Sequence, residues 1–207
     1  MSSANLTSDV SAGTPAKNPK MPPRERILAA ARELFYSQGI RAVSVDAIAE
    51  AADTNKMTLY RHFESKDELV AEYLREVAKD YLAQWNAVAN AHAGNPESQL
   101  KAWIEHVAAV HNTDDDRGCP FANAAVELPE KDHPARAVIE SVKQIHREKL
   151  AELCRRARYR DPENMADAIV LLFEGACIDR QCANACGSTS RVFDMIRSLV
   201  ANHAKLD

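Results

Sequence analysis

The sequence predicts an all-α chain, and three observations carry that reading. Apolar residues recur at three- and four-residue spacing over most of the length from Arg24 onward. Glycine is scarce, with six in 207 residues, and Ala, Leu, Glu, Arg and Lys are abundant, which suits helices better than the turn-dense pattern of sandwiches and barrels. Ser, Asn or Pro heads several of the periodic runs, where a helix needs a cap or a residue without a free N–H. The expected architecture is an N-terminal three-helix unit, a long connecting helix and a larger C-terminal helical bundle, about nine helices in total.

The first helix starts at Arg24, with Ile27, Ala30, Ala31, Leu34 and Phe35 on one stripe, and stops at Gly39. Ser44 caps a second short helix that turns Val45, Ile48, Ala49 and Ala52 inward. Asp53 and Thr54 then make a turn, and Asn55 caps a third helix whose Leu59 and Phe63 face the core. Ser65 opens a long helix through Val70, Tyr73, Leu74, Val77, Tyr81, Trp85 and Val88, which ends near Ala93-Gly94-Asn95-Pro96. Further helices are expected at about Glu97 to Asn112, Pro120 to Leu128, Pro134 to Arg158, Pro162 to Cys186 and Thr189 to Lys205. Residues 1–22 read as a disordered tail, 23–67 as the three-helix unit and 68–207 as the larger bundle.

A formal net charge of -4 argues against a protein that coats nucleic acid by bulk attraction, so any such contact must be local. The N-terminal tail lacks the apolar stretch of a signal peptide, no segment has the run of apolar residues a membrane helix needs, and the five cysteines are scattered. A cytoplasmic protein with reduced thiols, and no membrane partner, is the expectation.

Three short helices with a tight turn between the second and third are the arrangement by which one helix braces on a DNA backbone and the next enters the major groove. On the outward face of the third helix Lys56 and Arg61, with Lys66 at the start of the fourth, suit phosphates, and Thr58, Tyr60 and His62 suit phosphates, base edges or thymine methyls. The run RERILAAARELFYSQGIRAVSVDAIAEAADTNKMTLYRHFESKDELVAEYL resembles the TetR-family DNA-binding domain along its length, most specifically in ILAAARELF, Gly39, VDAIAEAA and TLYRHFESKDEL. The resemblance implies DNA contacts from Thr58, Tyr60, Arg61 or His62, and Lys66, with Ser44 touching phosphate. It departs from the family pattern at Asp53, Thr54, Asn55 and Met57. Aspartate tolerates a left-handed turn, asparagine caps as well as serine, and Met57 is available to the groove and to the choice of bases read.

The resemblance also implies a homodimer on an inverted-repeat operator in double-stranded DNA, with repression relieved by a small-molecule effector. Dimer contacts are expected from Ala168, Ile169, Leu172, Phe173, Ala176, Val192, Met195, Ile196, Leu199 and Val200. An effector pocket is expected among Trp85, Trp103, His106, Val107, Val110, His111, Cys119, Phe121, Asn123, Val142, His146 and Phe173. Nothing calls for a cofactor: His106, His111 and His146 lack metal-ligand spacing, and of Cys177, Cys182 and Cys186 only the last two share a helix face.

Cys119 precedes Pro120 at a helix start, where thiolate is favoured, and GCPFANAAVELP is similar to a segment of some TetR-family cores, a few of which resemble thiol sensors. A redox- or electrophile-responsive regulator is thus an alternative to a ligand-released repressor. An interaction module or an enzyme is the alternative from another class, though no phosphate loop, nucleophile elbow or metal constellation supports catalysis.

Overall fold

The computed structural model describes residues 21–110, 117–182 and 188–206, and among these it forms nine helices. They are α1 (Pro23–Gln38), α2 (Val45–Ala51), α3 (Lys56–His62), α4 (Lys66–Ala91), α5 (Pro96–Val110), α6 (Pro120–Glu127), α7 (Pro134–Arg156), α8 (Pro162–Cys182) and α9 (Ser188–Asn202). All but two of residues 1–22, together with His111 and Cys186, lie outside the described residues. Strand pairing among the described residues is confined to one antiparallel bridge, Tyr159 with Lys205, which fastens the end of the chain to the α7–α8 turn.

The caps read from the sequence are in place. The Ser44 hydroxyl accepts from Ala47 N at 3.1 Å, Asn55 Oδ1 from Thr58 N at 2.9 Å, and the Ser65 hydroxyl from Glu68 N at 3.0 Å. Each satisfies one of the N–H groups that a helix leaves unpaired in its first turn. Asp53 takes the left-handed conformation, φ 51°, that the α2–α3 turn requires. Gly39 ends α1 with φ 90°, donating to Phe35 O at 3.1 Å. A Cβ there would lie 3.1 Å from Glu127 Oε1, so glycine also leaves room for the Glu127 carboxylate.

Two apolar cores result. The first joins Ile27, Phe35, Ile48, Leu59, Phe63, Leu69 and Leu74 of α1–α4 to Phe121, Ala124 and Leu128 at α6 and Ala135 and Ile139 of α7. The second joins Trp85, Leu100, Trp103 and Ile104 to Leu150, Met165, Ile169, Phe173, Ile196 and Val200. The 26-residue α4, about 39 Å long at 1.5 Å per residue, contributes to both and packs on α1, α5 and α7. Polar bonds reinforce the junction of head and bundle. Glu127 accepts from Arg41 N at 2.9 Å, Arg41 Nε donates to Glu127 O at 2.6 Å, and Arg41 pairs with Glu130 at 3.0 Å.

Candidate nucleic-acid interface and cavity

The short helix α3 buries Leu59 and leaves Lys56, Met57, Tyr60, Arg61 and His62 exposed. Thr58 is half-buried. Arg61 makes no ion pair among the described residues, whereas Lys56 Nζ reaches back across the turn to Asp46 Oδ2 at 3.3 Å. The structure alters the reading of Lys66, which does not point freely outward. Its Nζ donates to Ile40 O at 2.6 Å and lies 5.9 Å from the Phe35 ring centroid, so it ties α4 to the end of α1. Burial holds its pKa below the usual lysine range, against the opposing pull of Asp67 and Glu127. The spacing that puts Lys66 beside α3 could not reveal that a backbone carbonyl lies within reach on the inner side.

Residues 27–73 match the family model described as bacterial regulatory proteins, tetR family, and residues 96–186 match the model described as the C-terminal domain of LmrA/YxaF-like transcriptional regulators. The chain is a TetR-family regulator. Among its relatives is the transcriptional regulator LmrA of Bacillus subtilis, 29% identical over 154 residues, covering 71% of this chain and 81% of that protein. The transcriptional repressor DhaR of Mycobacterium sp. strain GP1 is 28% identical over 109 residues, 53% of this chain and 54% of that one. The solved structure of SCO4454, a TetR-family regulator from Streptomyces coelicolor, superposes with a TM-score of 0.81 at 26% identity, covering 87% of this chain and 95% of that one. This TetR-family protein is therefore a DNA-binding transcriptional regulator with the all-α fold of its family, whose members bind operator DNA, generally as homodimers.

A cavity of about 560 Å³ lies between the head and the bundle of this regulator. Of the residues read from sequence as pocket walls, Trp103, His106, Val107, Val110, Cys119, Phe121, Val142, His146 and Phe173 line it. Two do not. Trp85 packs behind Trp103, ring centroids 4.7 Å apart, and Asn123 is committed to the loop at Arg117, donating to Arg117 O at 2.8 Å and accepting from Gln181 at 2.9 Å. His111 falls outside the described residues.

The sequence reading missed the other side of the cavity. Ala29, Arg32, Glu33 and Tyr36 of α1 line it, as do Tyr73, Val77, Asp80, Tyr81 and Gln84 of α4, so the reading head itself forms a wall. Only the outward stripe of α1, opposite Ile27 and Phe35, signalled this, and such a stripe reads equally well as solvated surface. Four of the wall's charges are paired, Arg32 with Asp80 and Lys143 with Glu174, whereas the exposed Glu33 carboxylate makes no ion pair among the described residues. His146 stands edge-on to Tyr81 at 5.2 Å and parallel to Phe173 at 6.3 Å, and burial holds its pKa down at about 4. It is therefore neutral near pH 7. His106 stacks on Trp103 at 5.3 Å and meets Gln84 Oε1 at 3.2 Å.

Beside the cavity, Tyr36 and Arg117 clasp α1 to the segment before α6. The Tyr36 hydroxyl accepts from Arg117 N at 2.9 Å, and the Arg117 guanidinium donates to Tyr36 O at 2.9 Å. Gln181 of α8 donates to Arg117 O at 2.9 Å, bringing a third helix to the same point.

The alternative of a thiolate at Cys119 does not fit its surroundings. The residue is the N-cap of α6, but burial raises its thiol's pKa, and Cys177 adds to the rise. The opposing Lys143 cation and the N–H groups of Ala122 and Phe121 do not reverse it. The helix start supplies favourable N–H groups, and desolvation outweighs them, in keeping with the reading of Cys119 as a buried structural cysteine. Cys177 is buried, the Cys182 side chain is not among those described, and no group of three His, Cys, Asp or Glu among the described residues is arranged to hold a metal ion.

The dimer reading is half corrected. Ile169, Phe173, Ala176, Ile196 and Val200 are buried within the single chain, where α8 and α9 pack on each other and on α7 and α5. Ala168, Leu172, Val192 and Leu199 are half-buried, and Met195 is exposed. Leu171 and Ile178, seven residues apart on α8, are also exposed, and sequence reasoning omitted them because both sides of α8 are apolar. No helix of the described residues is long and apolar enough to cross a membrane.

Proposed function

We propose that this regulator is a repressor that holds two operator half-sites as a homodimer and is released when a small molecule, uncharged in its buried part, fills the cavity. One observation carries the release step: Ala29, Arg32, Glu33 and Tyr36 of the DNA-reading head form one wall of the cavity, so an occupant presses directly on the element that positions α3. The internal pairing of Arg32 with Asp80 and of Lys143 with Glu174, beside a neutral His146, supports an occupant whose buried part is uncharged, since a charge carried past the exposed Glu33 would lose its hydration with no free opposite charge waiting. The clasp at Tyr36 and Arg117 and the bonds of Glu127 with Arg41 couple the walls to the head, and an effector that favours a different head spacing shifts the population away from the DNA-bound form.

On the DNA side, Arg61, Tyr60, His62 and Thr58 face phosphates and base edges, with Ser44, Asn55, Lys56, Met57 and Lys66 around them. Dimerisation uses the exposed apolar residues Leu171, Ile178 and Met195.

The test is binding to the upstream intergenic DNA and to selected random duplexes at two salt concentrations. Sequence-selective binding that weakens with salt is expected, and Arg61→Ala, which removes one cation from each subunit, should reduce the log–log salt slope by about 2. Compounds that release the protein should fail on Val107→Trp, which fills the cavity. Absence of selective DNA binding, or equal release of the filled variant, overturns the proposal.

A further inference from the structure

We infer that Met57 reads thymine, its side chain packing on the C5-methyl group of a thymine in the operator's major groove. This rests on the DNA-reading role of α3 proposed above and adds which base group it recognises.

A recognition helix presents the residues near its N-terminus to the base edges. At that end of α3 stand Asn55, Lys56 and Met57. Asn55 Oδ1 is committed to the cap, accepting from Thr58 N at 2.9 Å, and Lys56 Nζ turns back to Asp46 at 3.3 Å. Met57 contributes nothing to the core, which takes Leu59 from this helix. It is 78% exposed, the most exposed large apolar side chain among the described residues. Tyr60 and Arg61, three and four residues on, share its face, and Tyr60 is 44% exposed. The patch is thus one flexible thioether beside an aromatic ring, set among Lys56, Arg61 and His62.

That combination selects its partner. The Arg61 cation, with Lys56 beside it, favours a polyanion over an apolar protein surface, and the thymine methyl is the apolar group on the major-groove edge of the base pairs. A solvated methionine gains by covering it, and its unbranched, polarisable chain adapts to the groove without demanding one rotamer.

The experiment is to select operators from random duplexes with the full-length protein and then replace each thymine in turn by deoxyuridine, which removes only the methyl. Wild-type affinity should fall about fourfold at one or two thymines per half-site, and roughly fifteenfold when both half-sites are changed together. Met57→Ala, with an unchanged melting temperature, should bind the thymine and deoxyuridine versions of those positions equally. A wild type indifferent to every replacement, or a Met57→Ala protein that keeps the same penalty, overturns the inference while leaving the operator-reading role intact. Failure to select any duplex overturns both.

Discussion

His146 makes the stability of this protein pH-dependent in a way that one substitution isolates. Its ring is enclosed by Tyr81, Trp103 and Phe173, and its Nε2 has no hydrogen-bond partner among the described residues. Burial is the main cause that takes its pKa from 6.5 to about 4, and the Lys143 and Arg147 cations push the same way. Between those values the unfolded chain binds the proton and the folded one does not, so stability rises with pH there. The contribution is present in full above pH 6.5, declines as pH falls, and is lost by about pH 4. The full swing is on the order of 3 kcal/mol, a sizeable part of the stability of an ordinary domain.

The assay is urea unfolding from pH 7.5 to 4, followed by tryptophan fluorescence at fixed protein concentration, on wild type and His146→Leu. Loss of ring contacts offsets the variant by a constant amount, and carboxylates titrating in both proteins cancel in the difference. The wild-type advantage should therefore shrink, or turn into a deficit, by on the order of 3 kcal/mol toward pH 4. Parallel curves would refute the reasoning, because they would mean that the folded ring takes up its proton as easily as a solvated one.

Asn55→Ala should destabilise the protein by about 1 kcal/mol in urea through loss of the α3 cap, whereas Asn55→Asp should keep the cap but weaken DNA binding by placing a negative charge at the groove; equal unfolding midpoints for the two variants would contradict this. With its thiol's pKa raised by burial, Cys119 should react with iodoacetamide near pH 7 more slowly in the folded protein than in urea, as read by peptide mass spectrometry. Leu171→Glu with Met195→Glu should shift the protein to a monomer in light scattering and lower operator affinity, while leaving the helical signal of the single chain unchanged.

Much of this architecture was legible in the sequence. Periodicity located the helices, and Ser44, Asn55, Ser65 and Asp53 set the turns because local hydrogen bonding and backbone preference decide such positions. What was illegible depends on elements distant in the chain. Ile169 and Ile196 belong to the interior of one chain and Met195 to its surface, but all are simply apolar residues on amphipathic or two-sided helices. Arg32 and Tyr36 read as surface until α4 and the segment at Arg117 are laid over them. Lys66 and Cys119 went the other way, since burial, which no short window of sequence reports, turned one inward and quietened the other.

The first core has a bearing on how such regulators can be recombined. Phe121, Ala124, Leu128, Ala135 and Ile139 complete the same apolar cluster as Ile27, Phe35 and Leu59. A segment cut after α4 would expose that surface, and a head transplanted onto another bundle would meet foreign side chains in its own interior. The transferable unit is discontinuous: α1 to the first half of α4, together with α6 and the start of α7. Exchange of operator preference by shuffling is thereby channelled toward the exposed face of α3, where residues change without disturbing what lies beneath.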